Sequence, residues 1–245
     1  MAEIEICCGD VESLMAAAWG GARRIELCCG LSDGGLTPSP ATIRKARQLG
    51  IEKINVLIRV RGGDFLYSDD EKEIMLEEAR EAFANGATGI VVGALLPDGK
   101  IDKSFCRDMA AIAAGRDMTF HRAFDMCSDW PTALEEIIGM GFTSLLTSGL
   151  ASDAFSGMQT LKEIKERAAD RITVMAGSGI NSVNCREILD KTGVDAIHGT
   201  ARRKKGSGML FRRGDVSMGA RDADEYERSV TDAEEVRAII RKCGD

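Results

Sequence analysis

Short runs of β-branched and other apolar residues recur along the whole chain, and a stretch with helical punctuation follows each one. The runs are Ile4–Cys8, Arg24–Cys28, Ile54–Arg59, Gly89–Gly93, Met118–Arg122, Ser144–Ser148, Ile172–Ala176 and Asp195–His198. Their starts lie about 20 to 35 residues apart, the length of one βα unit in a parallel sheet. Asp10 is placed to cap a helix over Val11–Trp19, with Gly20-Gly21 as its stop. Ser39-Pro40 opens a second helix, proline taking the first helical position, and Gly50 closes it. Ser68 and Glu71 have capping-box spacing ahead of a helix that runs to Ala84 and ends at Asn85-Gly86. Asp129, Asn181 and Thr231 are further candidate caps, the last opening a C-terminal helix over 231–242. Strict alternation of eight strands and eight helices predicts an α/β fold, a single (β/α)8 TIM barrel with a parallel eight-stranded core spanning 1–245. An open doubly wound sheet usually has fewer strands, and no G-x-G-x-x-G follows the first run. Residues 202–226 show little periodicity and read as a long loop after strand eight.

Strand parity sorts side chains between the barrel interior and the shell under the helices. In the first run Ile4, Ile6 and Cys8 share one face and Glu5 and Cys7 the other. The second repeats this, with Ile25, Leu27 and Cys29 against Arg24, Glu26 and Cys28. Apolar faces belong under the helices, so both strands carry Glu-x-Cys into the barrel. The same parity sends Asn55, Leu57 and Arg59 inward, then Thr119 and His121 with Asp125 just beyond, and finally Ala196 and His198. Most of the polar members fall near strand C-termini, where barrel enzymes build their sites.

Composition narrows the function classes. The 245 residues carry a net charge of −7, which argues against nucleic acid as a main partner. No stretch approaches the roughly 20 apolar residues of a membrane span. The first residues lack the basic and apolar regions of a secretory signal, so a cytoplasmic protein is expected. Eight cysteines accompany only two histidines, and with no C-x-x-C spacing they read as thiols rather than disulfides or a zinc ribbon.

Candidate chemistry follows from the inward set. Glu26 or His121 would serve as acid–base group, Asp125 would orient His121, and Arg59 would stabilise developing negative charge or pair with Glu26. His198 completes the catalytic candidates. Gly177-Ser178-Gly179 and Gly199, in the loops after strands seven and eight, are the usual barrel position for an anion. Arg61 and Ser148 add donors from neighbouring loops. The run Arg202-Arg203-Lys204-Lys205 reads as solvated loop.

Longer motifs carry a family resemblance. Ile58-Arg59-Val60-Arg61-Gly62-Gly63-Asp64-Phe65-Leu66-Tyr67-Ser68-Asp69 and Thr119-Phe120-His121-Arg122-Ala123-Phe124-Asp125-Met126 resemble the signatures of the CutC copper homeostasis family. So do Ile25-Glu26-Leu27-Cys28, Leu146-Thr147-Ser148-Gly149 and Ile197-His198-Gly199. The resemblance spans nearly the whole chain; Val60 stands where the family usually has proline and Ser178 where it often has glycine. It implies a TIM barrel, a cytoplasmic location, a homodimer or homotetramer, and Cu(I) held by two cysteines that map onto Cys7 and Cys28. Parity had already turned those two thiols inward, and soft thiolates suit Cu(I). Two functions are therefore expected: Cu(I) binding through paired thiols, or an enzyme acting on a small phosphorylated or carboxylated metabolite. A barrel without chemistry is disfavoured, because buried unpaired charge costs several kcal/mol.

Overall fold

A computed structural model describes residues 2–216, 218 and 224–244. Eight parallel strands close into a barrel in sequential order: β1 (Glu3–Cys8), β2 (Arg24–Leu27), β3 (Lys53–Leu57), β4 (Gly89–Val92), β5 (Asp117–Phe120), β6 (Ser144–Thr147), β7 (Thr173–Gly177) and β8 (Ala196–Gly199). Closure joins β1 to β8 with Glu5 beside His198, while on its other side Glu5 faces Arg24 of β2. Helices cover the outside: α1 (Val11–Trp19), α2 (Pro40–Gln48), α3 (Asp69–Ala84), α4 (Lys103–Ala113), α5 (Trp130–Gly139), α6 (Met158–Ala168) and α7 (Cys185–Thr192).

The local signals act as their chemistry demands. Asp10 accepts from the Ser13 amide at the start of α1, and Ser39 caps α2 with Pro40 in its first turn. Ser68 and Glu71 form both halves of the capping box on α3. Ile6, Cys8, Ile25, Leu27, Ile54 and Val56 pack between sheet and helices in the main hydrophobic layer. Cys7, Cys28, Leu57 and Val91 form a separate cluster inside the barrel, and Leu146, Met175 and Ala196 another.

The C-terminal segment departs from expectation. Arg202–Gly206 is a strand, β9, and pairs antiparallel with β10 (Glu227–Thr231), so part of the expected loop is a two-stranded ribbon. Four successive cations have no amphipathic period. Three of them are held instead by distant partners: Arg203 by Asp232, Lys204 by Glu227 and Lys205 by Glu12. Thr231 consequently ends a strand, and the cap of the last helix, α8 (Ala233–Gly244), is Asp232, which accepts from the Glu234 and Glu235 amides. Asn181 likewise lies ahead of its helix: α7 begins at Cys185, after a turn whose Val183 and Asn184 amides donate to the Asn181 side chain.

Candidate metal centre

β1, β2 and β8 converge on one set of side chains at the C-terminal mouth. Cys7 lies beside Glu26 in register, and the Cys28 amide continues the ladder by donating to the Cys8 carbonyl. The two thiols therefore meet inside the barrel, Sγ to Sγ 3.6 Å. The Cys7 thiol also donates to Glu26 Oε1 at 3.3 Å. Cys7 Sγ, a Glu26 oxygen and a His198 ring nitrogen all lie within 4.8 Å of one another. Three potential ligand types thus share one spot, with a second thiol in contact.

Behind this set stands Glu5, fully buried. Its Oε1 meets His198 Nδ1 at 2.9 Å, and its Oε2 accepts from Arg24 Nε and Asn55 Nδ2, each at 2.7 Å. With Nδ1 engaged, Nε2 is the nitrogen His198 has left for a ligand. A carboxylate holding the far nitrogen of an imidazole is the usual support behind a metal-bound histidine. Burial opposes the charge of Glu5, but Arg24 and His198 prevail and hold its pKa at about 2. Burial likewise opposes a charged His198, yet Glu26, Cys7 and Glu5 push its pKa well above the ordinary value. The hydrogen bond to Cys28, together with burial, raises the Cys7 thiol well above its usual range, and burial raises Glu26.

A cavity of about 310 Å³ opens over these residues and is lined by Cys7, Glu26 and His198, by Arg59, Phe65 and His121, and by the loops after β7 and β8. His121 is 5% exposed, and its Nδ1 accepts from the Ala123 amide. Burial and the nearby Arg59 lower its pKa to about 3, so it is neutral across the physiological range.

The remaining expected residues take other positions. Arg59 does not pair with Glu26; it donates to the Asp33, Gly35 and Gly63 carbonyls and stacks over Phe65, which pins the loop after β2. Asp125 does not orient His121. It accepts from the Ser148 amide and hydroxyl and the Leu150 amide, bonds Thr147, and pairs with Arg122 at 2.8 Å. It is a clasp between the loops after β5 and β6, and it occupies the Ser148 hydroxyl. Arg61 points to Glu71, Asp64 and Tyr67 and is absent from the cavity wall, as are Gly177 and Ser148. Ser178, Gly179 and Gly199 do line it, joined by Ile180, Thr200 and Arg202, for which parity offered no signal because they lie beyond the strands of the barrel.

A CutC family profile matches residues 2–203. The chain belongs to the CutC family. It is 46% identical over 237 residues to the human copper homeostasis protein cutC homolog, covering 96% of this chain and 87% of that protein. A CutC protein of Bacteroides fragilis is 44% identical over 238 residues, with 96% and 95% covered. A crystal structure of CutC from Streptococcus agalactiae superposes with a TM-score of 0.78 at 31% identity, over 82% of this chain and 99% of that one. The family accounts for the motif-length runs around Arg59 and His121, both of which lie on the wall of the mouth cavity.

Proposed function

We propose that this CutC-family chain binds Cu(I) through the Cys7 and Cys28 thiolates, with His198 as a supporting ligand and Glu26 beside them. The observation that carries the reading is the 3.6 Å separation of the two sulfurs at the base of an open mouth, with imidazole and carboxylate donors around Cys7. Two sulfurs and an imidazole are a soft donor set, suited to Cu(I) rather than to magnesium or calcium. The human relative's name, a copper homeostasis protein, points the same way. All eight cysteines are free thiols, which fits the reducing cytoplasm as the place of action. Among the described residues, no helix is long and apolar enough to cross a membrane. The homo-oligomer implied by the family resemblance belongs to this proposal too, and light scattering on the purified chain tests it.

Anaerobic titration of the reduced protein with Cu(I) against a chromophoric chelator tests the reading. One equivalent bound tightly, and lost in Cys7→Ser and Cys28→Ser, supports it; unchanged binding in both variants overturns it. Zn(II) accepts the same donors, so a competition arm is needed. Retention of Zn(II) in the presence of equimolar Cu(I) overturns the copper assignment.

A further inference from the structure

The part of the mouth beside the thiols, formed by the loops after β7 and β8, has chemistry that copper does not use. The loop after β7 and the loop after β8 meet at the cavity through Gly179, Ile180 and Thr200. The backbone N–H groups of these three residues donate to no acceptor among the described residues. Gly179 has φ +72° and the preceding Ser178 φ +81°. Successive residues in such turn conformations can set their N–H groups into an anion-binding concavity. Arg202 reaches the same cavity from the start of the ribbon, and its guanidinium has no ion-pair partner among the described residues.

A second observation comes from the other side. His121 lines the cavity, is all but buried, and keeps Nδ1 as an acceptor for Ala123, so the proton of the neutral ring is on Nε2. That Nε2 has no hydrogen-bond partner. Buried donors are rarely left unmet without a reason. Between the two walls, Phe65 and Leu146 offer apolar surface, and about 310 Å³ is at the small end of ligand pockets, in keeping with a small metabolite.

We propose that the mouth cavity binds a small phosphate monoester, its phosphate held by the Gly179, Ile180 and Thr200 amides and by Arg202. His121 Nε2–H serves as a neutral donor toward an oxygen of the ligand's carbon skeleton. In this role His121 orients the ligand rather than accepting its proton. A tetrahedral dianion matches amides from two loops better than a planar carboxylate, which presents two oxygens in one plane. None of these donors is a thiol, so the proposal does not rest on the copper reading, although both ligands would share one mouth.

The test uses the reduced, metal-free full chain, so failure of the copper reading leaves it untouched. Glycerol 3-phosphate, inorganic phosphate and acetate are titrated by calorimetry and thermal shift at constant ionic strength. Both phosphates should bind and raise Tm, and acetate should not. Thr200→Asp places a carboxylate in the loop and should weaken phosphate binding by at least about tenfold, the equivalent of 1.4 kcal/mol, while Thr200→Asn should restore it. Arg202→Gln, on an exposed strand that tolerates polar change, should weaken binding several-fold and keeps the proposal testable if Thr200→Asp does not fold. Equal binding of acetate, rejection of the ester, or wild-type affinity in Arg202→Gln overturns the proposal.

Discussion

Single residues at the mouth are defined by what their polar atoms are tied to. His121 is neutral because burial and Arg59 disfavour its cation, with its pKa at about 3 against 6.5 for an ordinary histidine. Only the unfolded chain gains a proton between those values, so this residue's stabilising contribution is complete above pH 6.5 and is lost as pH falls toward 3. His121→Asn keeps an acceptor for the Ala123 amide but cannot titrate. Its Tm should therefore fall less steeply than the wild type's between pH 6.5 and 5; parallel slopes would show that another group controls acid stability. Glu5 acts through its partners. Glu5→Gln should lower Cu(I) affinity by about 10- to 100-fold, the usual effect of removing the carboxylate behind a ligating histidine. The titre of reactive thiols should not change. The raised Cys7 thiol adds a pH dependence: metal must displace its proton. Cu(I) affinity should accordingly climb with pH, by about tenfold per unit for one displaced proton, and a flat profile would exclude Cys7 as a ligand.

At the scale of elements, strands were legible wherever an apolar face had a helix to cover it. Ile6 and Cys8 belong to the shell and Glu5 and Cys7 to the interior because successive side chains alternate. The same rule has no purchase on β9, where Arg202 to Lys205 are all exposed and only the antiparallel partner makes a strand. Loops were harder still. Asp125 lies one short helical turn from His121, yet its carboxylate turns to the β6 loop because the Ser148 and Leu150 amides need an acceptor there. One element-level prediction follows from Gly89 of β4, which sits between two close neighbours. A Cβ there would approach Asn55 Oδ1 to 2.4 Å and the Asp117 carbonyl oxygen to 2.7 Å. Gly89→Ala must separate β3, β4 and β5, and should cost about 1–3 kcal/mol in denaturant unfolding. A loss below about 0.5 kcal/mol would mean that the sheet yields without strain.

For the whole molecule, the decisive event is closure of the sheet. It brings His198 to Glu5 across 193 positions of sequence, and through Glu5 to Arg24 and Asn55. Composition, periodicity and capping motifs determined a βα repeat closing into a barrel, an apolar shell, and two inward Glu-x-Cys strands. These are local properties, fixed by alternation along a strand and by backbone groups at helix ends. The long motifs around Arg59 and His121 further marked the family. Tertiary structure alone decided that Cys7 and Cys28 touch, that His198 stands with Glu26 beside them, and that Arg59, Asp125 and Arg61 are spent on holding loops. It also decided that Thr200 and Arg202 share the thiols' cavity. Hydrogen-bond partners distant in sequence are chosen by the height and order of strands around a closed barrel, and no local pattern encodes that arrangement.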